Sequence, residues 1–168
     1  MKNLGKIASA TLAATVVGIG GAHALEACNG FTVIAPMDET RVVAVLSEDG
    51  NDLKAGDRRI GFSPLLDRIG NAVGTVDWET QVLAGSDEDK TRLSSDVVLN
   101  FQDGSLFARS GIFTSEGGVV NAGTRTVSDD QVRHIIGGTG AFSGARGDIT
   151  FTMQENGDAV FNVQVTCI

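Results

Sequence analysis

The chain has no tyrosine, one tryptophan, two prolines, two cysteines and two histidines among 168 residues. Each scarcity removes a class of chemistry. Histidine and cysteine clusters at zinc-ligand spacing are absent, so no metal is expected. Of the two histidines, His23 falls in the N-terminal leader described below. A Ser-His-Asp triad would therefore have to use His134, and no Gly-x-Ser-x-Gly nucleophile elbow accompanies it. Positive charge is scarce as well: 13 basic residues face 21 acidic ones, for a formal net charge of −8. Such a chain repels polyphosphates and anionic bilayers, which excludes nucleic acid and membrane surfaces as expected partners. No apolar run is long enough to span a membrane. After the leader, no stretch keeps helical period for three turns.

The leader has its own pattern. Lys2 and Lys6 form a basic start, residues 7–19 are a short apolar and small-residue run, and Ala22-His23-Ala24 is a small-x-small cleavage site. That is the layout of a secretory signal peptide over residues 1–24. Residues 25–168 then form a single domain of 144 residues, long enough for a core. Losing Lys2 and Lys6 takes its charge from −8 to −10. The expected location is periplasmic or extracellular. Two uses of Cys28 stay open. Leu25-Glu26-Ala27-Cys28 resembles a lipoprotein box, although Glu26 fits it badly. The other use is a disulfide between Cys28 and Cys167, which export permits and which leaves no cysteine stranded.

What the chain does contain is strand signal at even spacing. Strand signals recur over 41–46, 73–83, 93–101, 105–114, 132–136, 149–153 and 159–165. Turn residues stand between them: 48–52, 85–89, Asp103-Gly104 and Asn156-Gly157-Asp158. Asp-Gly between two alternating runs is a strong hairpin signal. Leu93, Ser95, Val97, Leu99 and Phe101 share one face of their strand, and Ala159, Phe161, Val163, Val165 and Cys167 share one face of theirs. This spacing predicts an all-β sandwich or up-and-down barrel.

The densest glycine segment, residues 137–147, reads two ways. Gly138 and Gly140 fit the first two positions of a dinucleotide loop, but the third holds Ser143, and the sequence that follows has strand period rather than helix period. A glycine-rich β-turn is the reading that fits.

Several motifs together carry a resemblance. Gly56-Asp57 followed by Phe62, Pro64, Leu65 and Asp67, the spaced Gly70 and Gly74, and the hairpin Phe101-Gln102-Asp103-Gly104 resemble segments of the dirigent and allene oxide cyclase barrels. Gly137-Gly138-Thr139-Gly140-Ala141-Phe142 with Ala145-Arg146-Gly147 is very similar to the dirigent signature. The resemblance spans roughly residues 55–165. It implies an eight-stranded antiparallel β-barrel, lipocalin-like in shape, commonly a homotrimer, and wide enough for one small ligand. Dirigent proteins hold phenoxy radicals and set the stereochemistry of their coupling. Allene oxide cyclases fold an unsaturated epoxide into a ring. Both act by holding a reactive molecule in one shape away from water. The chain lacks the tyrosines of dirigent pockets, has Pro64 where the cyclase has asparagine, and lacks its mid-barrel cysteine. Neither plant reaction is expected as such.

The resemblance makes Arg146 the pocket cation and Asp57 the matching acid, taken together as the catalytic candidates. Trp78, Phe107, Phe142 and His134 are the ligand-binding candidates, with core packing the other use of the aromatics and a surface role the other use of His134. Asp77 and Glu79 read as a solvated face, and Asp87-Glu88-Asp89 and Asp129-Asp130 as loop tips without EF-hand spacing. No cofactor is called for. The expected function is an exported barrel that binds a small apolar or aromatic ligand and steers its cyclisation or isomerisation. A carrier without chemistry is the alternative, and a filled barrel serving as an interaction module is the third reading.

Overall fold

A computed structural model describes residues 28–45, 54–87, 90–116 and 131–168. The leader 1–24, the lipoprotein-like box up to Ala27, the turn predicted at 48–52, and Asp129-Asp130 lie outside these residues, as do Glu88 and Asp89 of the second acidic turn. The described chain is almost wholly strand: β1 (Phe31–Ala35), β2 (Arg41–Val45), β3 (Arg58–Leu66), β4 (Ala72–Asp87), β5 (Lys90–Phe101), β6 (Gly104–Ser110), β7 (Phe113–Glu116), β8 (Gln131–Gly138), β9 (Ala145–Met153) and β10 (Ala159–Cys167). One 3-10 turn, Gly140–Phe142, stands between β8 and β9. Among the described residues no helix is long and apolar enough to cross a membrane.

The strands hydrogen-bond in the order β1-β10-β9-β8-β6-β5-β4-β3-β2, and Ile34 of β1 pairs with Leu66 of β3 to close the ring. Ten segments make eight staves. β1 and β2 run along the same neighbour, β3, and are halves of one stave split at residues 36–40. There Pro36 offers no N–H to a ladder, and the Thr40 hydroxyl donates to its carbonyl oxygen at 2.7 Å. β6 and β7 likewise share β5, split at Gly111-Ile112. The run read from sequence as one strand over 105–114 is therefore two, with a one-residue slip in register between them. The predicted eight-stranded antiparallel barrel is the observed fold, and every pairing in it is antiparallel.

Alternation fixes the faces. The apolar faces of β1, β4, β5, β6, β9 and β10 turn inward, whereas β3 and β8 leave Ile60, Phe62, Val132 and Ile136 exposed. Val33, Leu65, Leu99, Leu106, Ile149 and Val163 are buried to within 2 % exposure and pack as one cluster. Each such side chain contributes about 1.5–3 kcal/mol by leaving water. Outside, charged pairs bridge neighbouring strands: Arg109 with Asp96 at 2.6 Å and Arg58 with Glu79 at 3.1 Å.

One end of the barrel is plugged. Phe31, Phe101 and Phe142 meet with ring centroids 5.4–6.3 Å apart. The glycine-rich segment lies against the Asp103-Gly104 hairpin beneath them: Ala141 N–H donates to the Asp103 carbonyl and Thr139 N–H to that of Ser105, both at 2.8 Å. A side chain at Gly104 would strike the Thr139 carbonyl, one at Gly140 the Asp103 carbonyl, and both glycines hold positive φ. The sequence motif that looked like a phosphate loop is thus a backbone-to-backbone closure, possible only without Cβ atoms. Cys28 and Cys167 form a disulfide at this same end, with Cα atoms 5.4 Å apart, because β1 and β10 are neighbouring staves. That uses the sulfur the lipoprotein reading required.

Candidate functional site

The other end is open inside. A cavity of about 470 Å³ occupies it, within the range of small-molecule sites. Its apolar wall is built by inward residues of two neighbouring pairs of staves: Val76 and Trp78 from β4 with Val97 from β5, and Phe151 and Met153 from β9 with Phe161 from β10. Phe151 and Phe161 meet edge to face at 5.4 Å between centroids. Trp78 has room because it faces Gly61 across β3 and β4. A Cβ at Gly61 would lie inside the indole ring.

A polar belt crosses this apolar wall. Residues directly opposite on adjacent strands share a face. Arg59 pairs with Thr80, Thr80 with Ser95, and Ser110 with Arg133. The Ser110 hydroxyl closes the series by accepting the Ser95 backbone N–H at 2.7 Å, where β6 leaves the ladder towards Gly111. The Thr80 hydroxyl donates to that of Ser95 at 3.4 Å. All three hydroxyl residues and Arg133 are buried, and Arg59, Thr80, Ser95 and Arg133 all line the cavity.

The two arginines come from opposite sides. Around a ring of eight staves, β3 and β8 are four places apart. Arg133, 5 % exposed, stacks over Phe151 with its guanidinium carbon 5.0 Å from the ring centroid, and one of its terminal nitrogens donates to the Gln131 side-chain oxygen at 3.2 Å. Burial lowers the Arg59 pKa from its ordinary value. Among the described residues the remaining charge in the lining is Glu155, exposed on the β9–β10 turn at the rim.

Of the six catalytic and ligand-binding candidates named from sequence, Trp78 alone lines the cavity. Arg146 stands between inward Ala145 and exposed Gly147 on β9 and points outward. Its guanidinium donates to the carbonyl oxygens of Ala145 at 2.6 Å and Ile136 at 3.3 Å. His134 is on the outer face of β8, where its Nδ1 lies 2.7 Å from an Asp148 oxygen of β9. Phe107 alternates outward between buried Leu106 and Ala108. Phe142 is buried, but in the plug at the closed end. Asp57 is 2 % exposed and accepts the Lys54 N–H at 2.7 Å, holding the turn into β3. Asp77 and Glu79 face outward, as expected of a solvated face. Arg59 and Arg133 are the residues sequence reasoning missed. A lone arginine at an inward position of an alternating strand was the available signal in both cases.

No protein-family model matches the sequence, and no curated protein matches it. Solved structures do. Pyocyanin demethylase superposes with a TM-score of 0.62 at 18% identity, over 82% of this chain and 99% of that one. The Diels-Alderase AbmU from Streptomyces koyangensis gives 0.52 at 14%, over 80% of this chain and 66% of that one. A nonspecific heme-binding cyclase that catalyses a cycloaddition in neoabyssomicin biosynthesis gives 0.55 at 14%, over 81% and 66%. The likeness shows the fold. At these identities residue roles do not transfer, and the site rests on its own geometry.

Proposed function

We propose that the mature chain, residues 25–168, is an exported barrel that binds one small, largely apolar or aromatic molecule in its open end and steers that molecule's cyclisation or isomerisation. The observation that carries this reading is the cavity of about 470 Å³ with Trp78, Phe151 and Phe161 in its wall. The barrels it resembles are named for acting on small molecules, among them a demethylase and two cyclisation enzymes. Chemistry in such a site would come from confinement: the apolar wall selects a folded conformer and excludes water. Export is supported by the leader pattern and by a disulfide that needs an oxidising compartment. A kinship with the dirigent and allene oxide cyclase barrels in particular rests on the signature at residues 137–147. The homotrimer is what the dirigent resemblance implies, and Val43, Ile60 and Phe62, exposed side chains of the paired strands β2 and β3, support self-association of some order.

A carrier is the second reading, and one observation favours it. Among the described residues no histidine or cysteine lines the cavity, and the chain has no tyrosine. Among the described residues the lining thus shows neither of the side chains, histidine and cysteine, whose ordinary pKa lies nearest neutrality.

Native mass spectrometry of the mature protein from its own host tests both. A retained small molecule is expected, at one per protomer. Incubating that molecule with fresh protein then separates the readings: a product of altered chemistry marks the cyclase, unchanged release marks the carrier. A protein that retains nothing, and whose Trp78 emission responds to no apolar probe, would be neither.

A further inference from the structure

We infer that the ligand carries a ketone-, quinone- or amide-type carbonyl, and that the hydroxyls of Thr80 and Ser95 hold its oxygen while the apolar body lies against Trp78. The inference rests on the cavity being a binding site and adds the class of molecule. Among the described residues the lining has four hydroxyl side chains, Thr40, Ser63, Thr80 and Ser95. Two of them are committed to the backbone. The Thr40 hydroxyl donates to the Pro36 carbonyl at 2.7 Å, and the Ser63 hydroxyl donates to the Pro64 carbonyl at 3.2 Å, with that of Pro36 3.4 Å away. Thr80 and Ser95 have each other. Their oxygens stand 3.4 Å apart, well beyond the roughly 2.8 Å of a good hydroxyl–hydroxyl bond. Two hydroxyls bring two protons, and only one can lie between them. With Thr80 donating, the Ser95 proton has no acceptor among the described residues; with the bond reversed, the Thr80 proton has none.

The surroundings give that spare donor its weight. Ser95 is 2 % exposed and Thr80 6 %. The pair is one rung of the β4–β5 ladder between two apolar rungs, Trp78 opposite Val97 towards the plug and Val82 opposite Leu93 on the other side. A ligand apolar all over would press carbon against the unpaired O–H, and a buried donor without an acceptor is a net loss. A ligand with an oxygen at this rung pairs it instead, so the site selects by rejecting the analogue that lacks the oxygen. Donors that are themselves uncharged suit an uncharged acceptor, which reaches the rung without shedding the tighter hydration of an ion. Along β4, Thr80 follows Trp78 on the same face, about 7 Å further on. A ring system laid on the indole therefore sets an edge oxygen beside the hydroxyls.

Acetylnaphthalene and isopropenylnaphthalene share one shape and differ by a carbonyl oxygen in the first where the second has a methylene. Each is titrated as a competitor of phenylnaphthylamine fluorescence, in the folded, disulfide-bonded protein and in its Thr80→Val/Ser95→Ala variant. Removing both hydroxyls together leaves neither partner stranded, which favours folding of the variant. The ratio of ketone to alkene affinity is expected to fall about three- to tenfold in the variant, the scale of one neutral hydrogen bond. An unchanged ratio overturns the assignment to this rung while leaving the cavity a binding site. If neither compound nor phenylnaphthylamine binds the unaltered protein, the cavity reading falls and the inference with it. A second measurement needs no variant: the infrared carbonyl stretch of acetylnaphthalene bound to the unaltered protein is expected below its frequency in an apolar solvent. A stretch at the apolar-solvent frequency overturns the inference whether or not the variant folds.

Discussion

A methyl group on Gly61 would overlap the indole of Trp78, so any larger residue there must push the ring off the cavity wall. Gly61→Val is accordingly expected to cost about 1–3 kcal/mol, the usual scale of overpacking, and to displace the aromatic surface proposed to meet the ligand. Trp78 is the one tryptophan of the chain, which makes its emission a direct reporter. The check is urea unfolding for the stability loss, with the emission maximum of the folded protein for the ring's displacement. An unchanged emission maximum would mean that the indole does not depend on the space above Gly61. The same residue explains part of what the sequence concealed. The inward positions of β3 are Arg59, Gly61, Ser63 and Leu65. Three of the four are not apolar because they face a cavity or a ring rather than a packed core. Alternation of apolar and polar residues, the signal by which strands are recognised, is erased where the barrel is hollow.

At the scale of the element, the hairpins were the legible part. Asp103-Gly104 and Asn156-Gly157-Asp158 turn where their residue types predict, and β4, β5, β9 and β10 carry clean alternation because their plugged halves are packed. β1 was not read, being five residues long and cut short by Pro36. The β6–β7 split was not read either, since one slipped residue at Gly111-Ile112 leaves the surrounding alternation nearly intact. Arg146 was misplaced for a different reason. A motif identifies a residue, but parity along β9 decides which side of the wall it stands on. The β3–β4 turn makes an element-level prediction. Asp67 accepts the backbone N–H groups of Ile69 and Asn71 and the Asn71 side-chain amide, each at 2.9 Å. These bonds, with the Asn71 side chain first, hold its pKa below the ordinary carboxylate value. A carboxylate depressed in the folded state adds stability above its unfolded pKa, near about 4, and loses it as pH falls through the folded value. Below about pH 4 the melting temperature of Asp67→Asn should therefore fall less steeply with pH than that of the parent. Parallel acid limbs would show that the turn carries no such linkage.

For the whole molecule, the Cys28–Cys167 bridge joins residues 139 apart. In the loop-entropy account it is worth about 3–5 kcal/mol. Reduction should lower the melting temperature by roughly 10 °C, with far-ultraviolet dichroism unchanged below the transition, because β1 and β10 remain paired through five residues of β1. Loss of strand signal on reduction at low temperature would mean that the bridge, rather than the ladder, closes the ring. Bridge, aromatic plug and glycine closure all lie at one end, and the cavity lies at the other. This division has a consequence for how such a chain changes over time. Substitutions that enlarge, charge or reshape the hollow half fall on positions that contribute little to the packed half, so they draw lightly on a margin of about 5–15 kcal/mol. A lineage built on this plan can exchange one cargo for another, and a bound molecule for a reacting one, by re-lining the mouth over a base that stays the same.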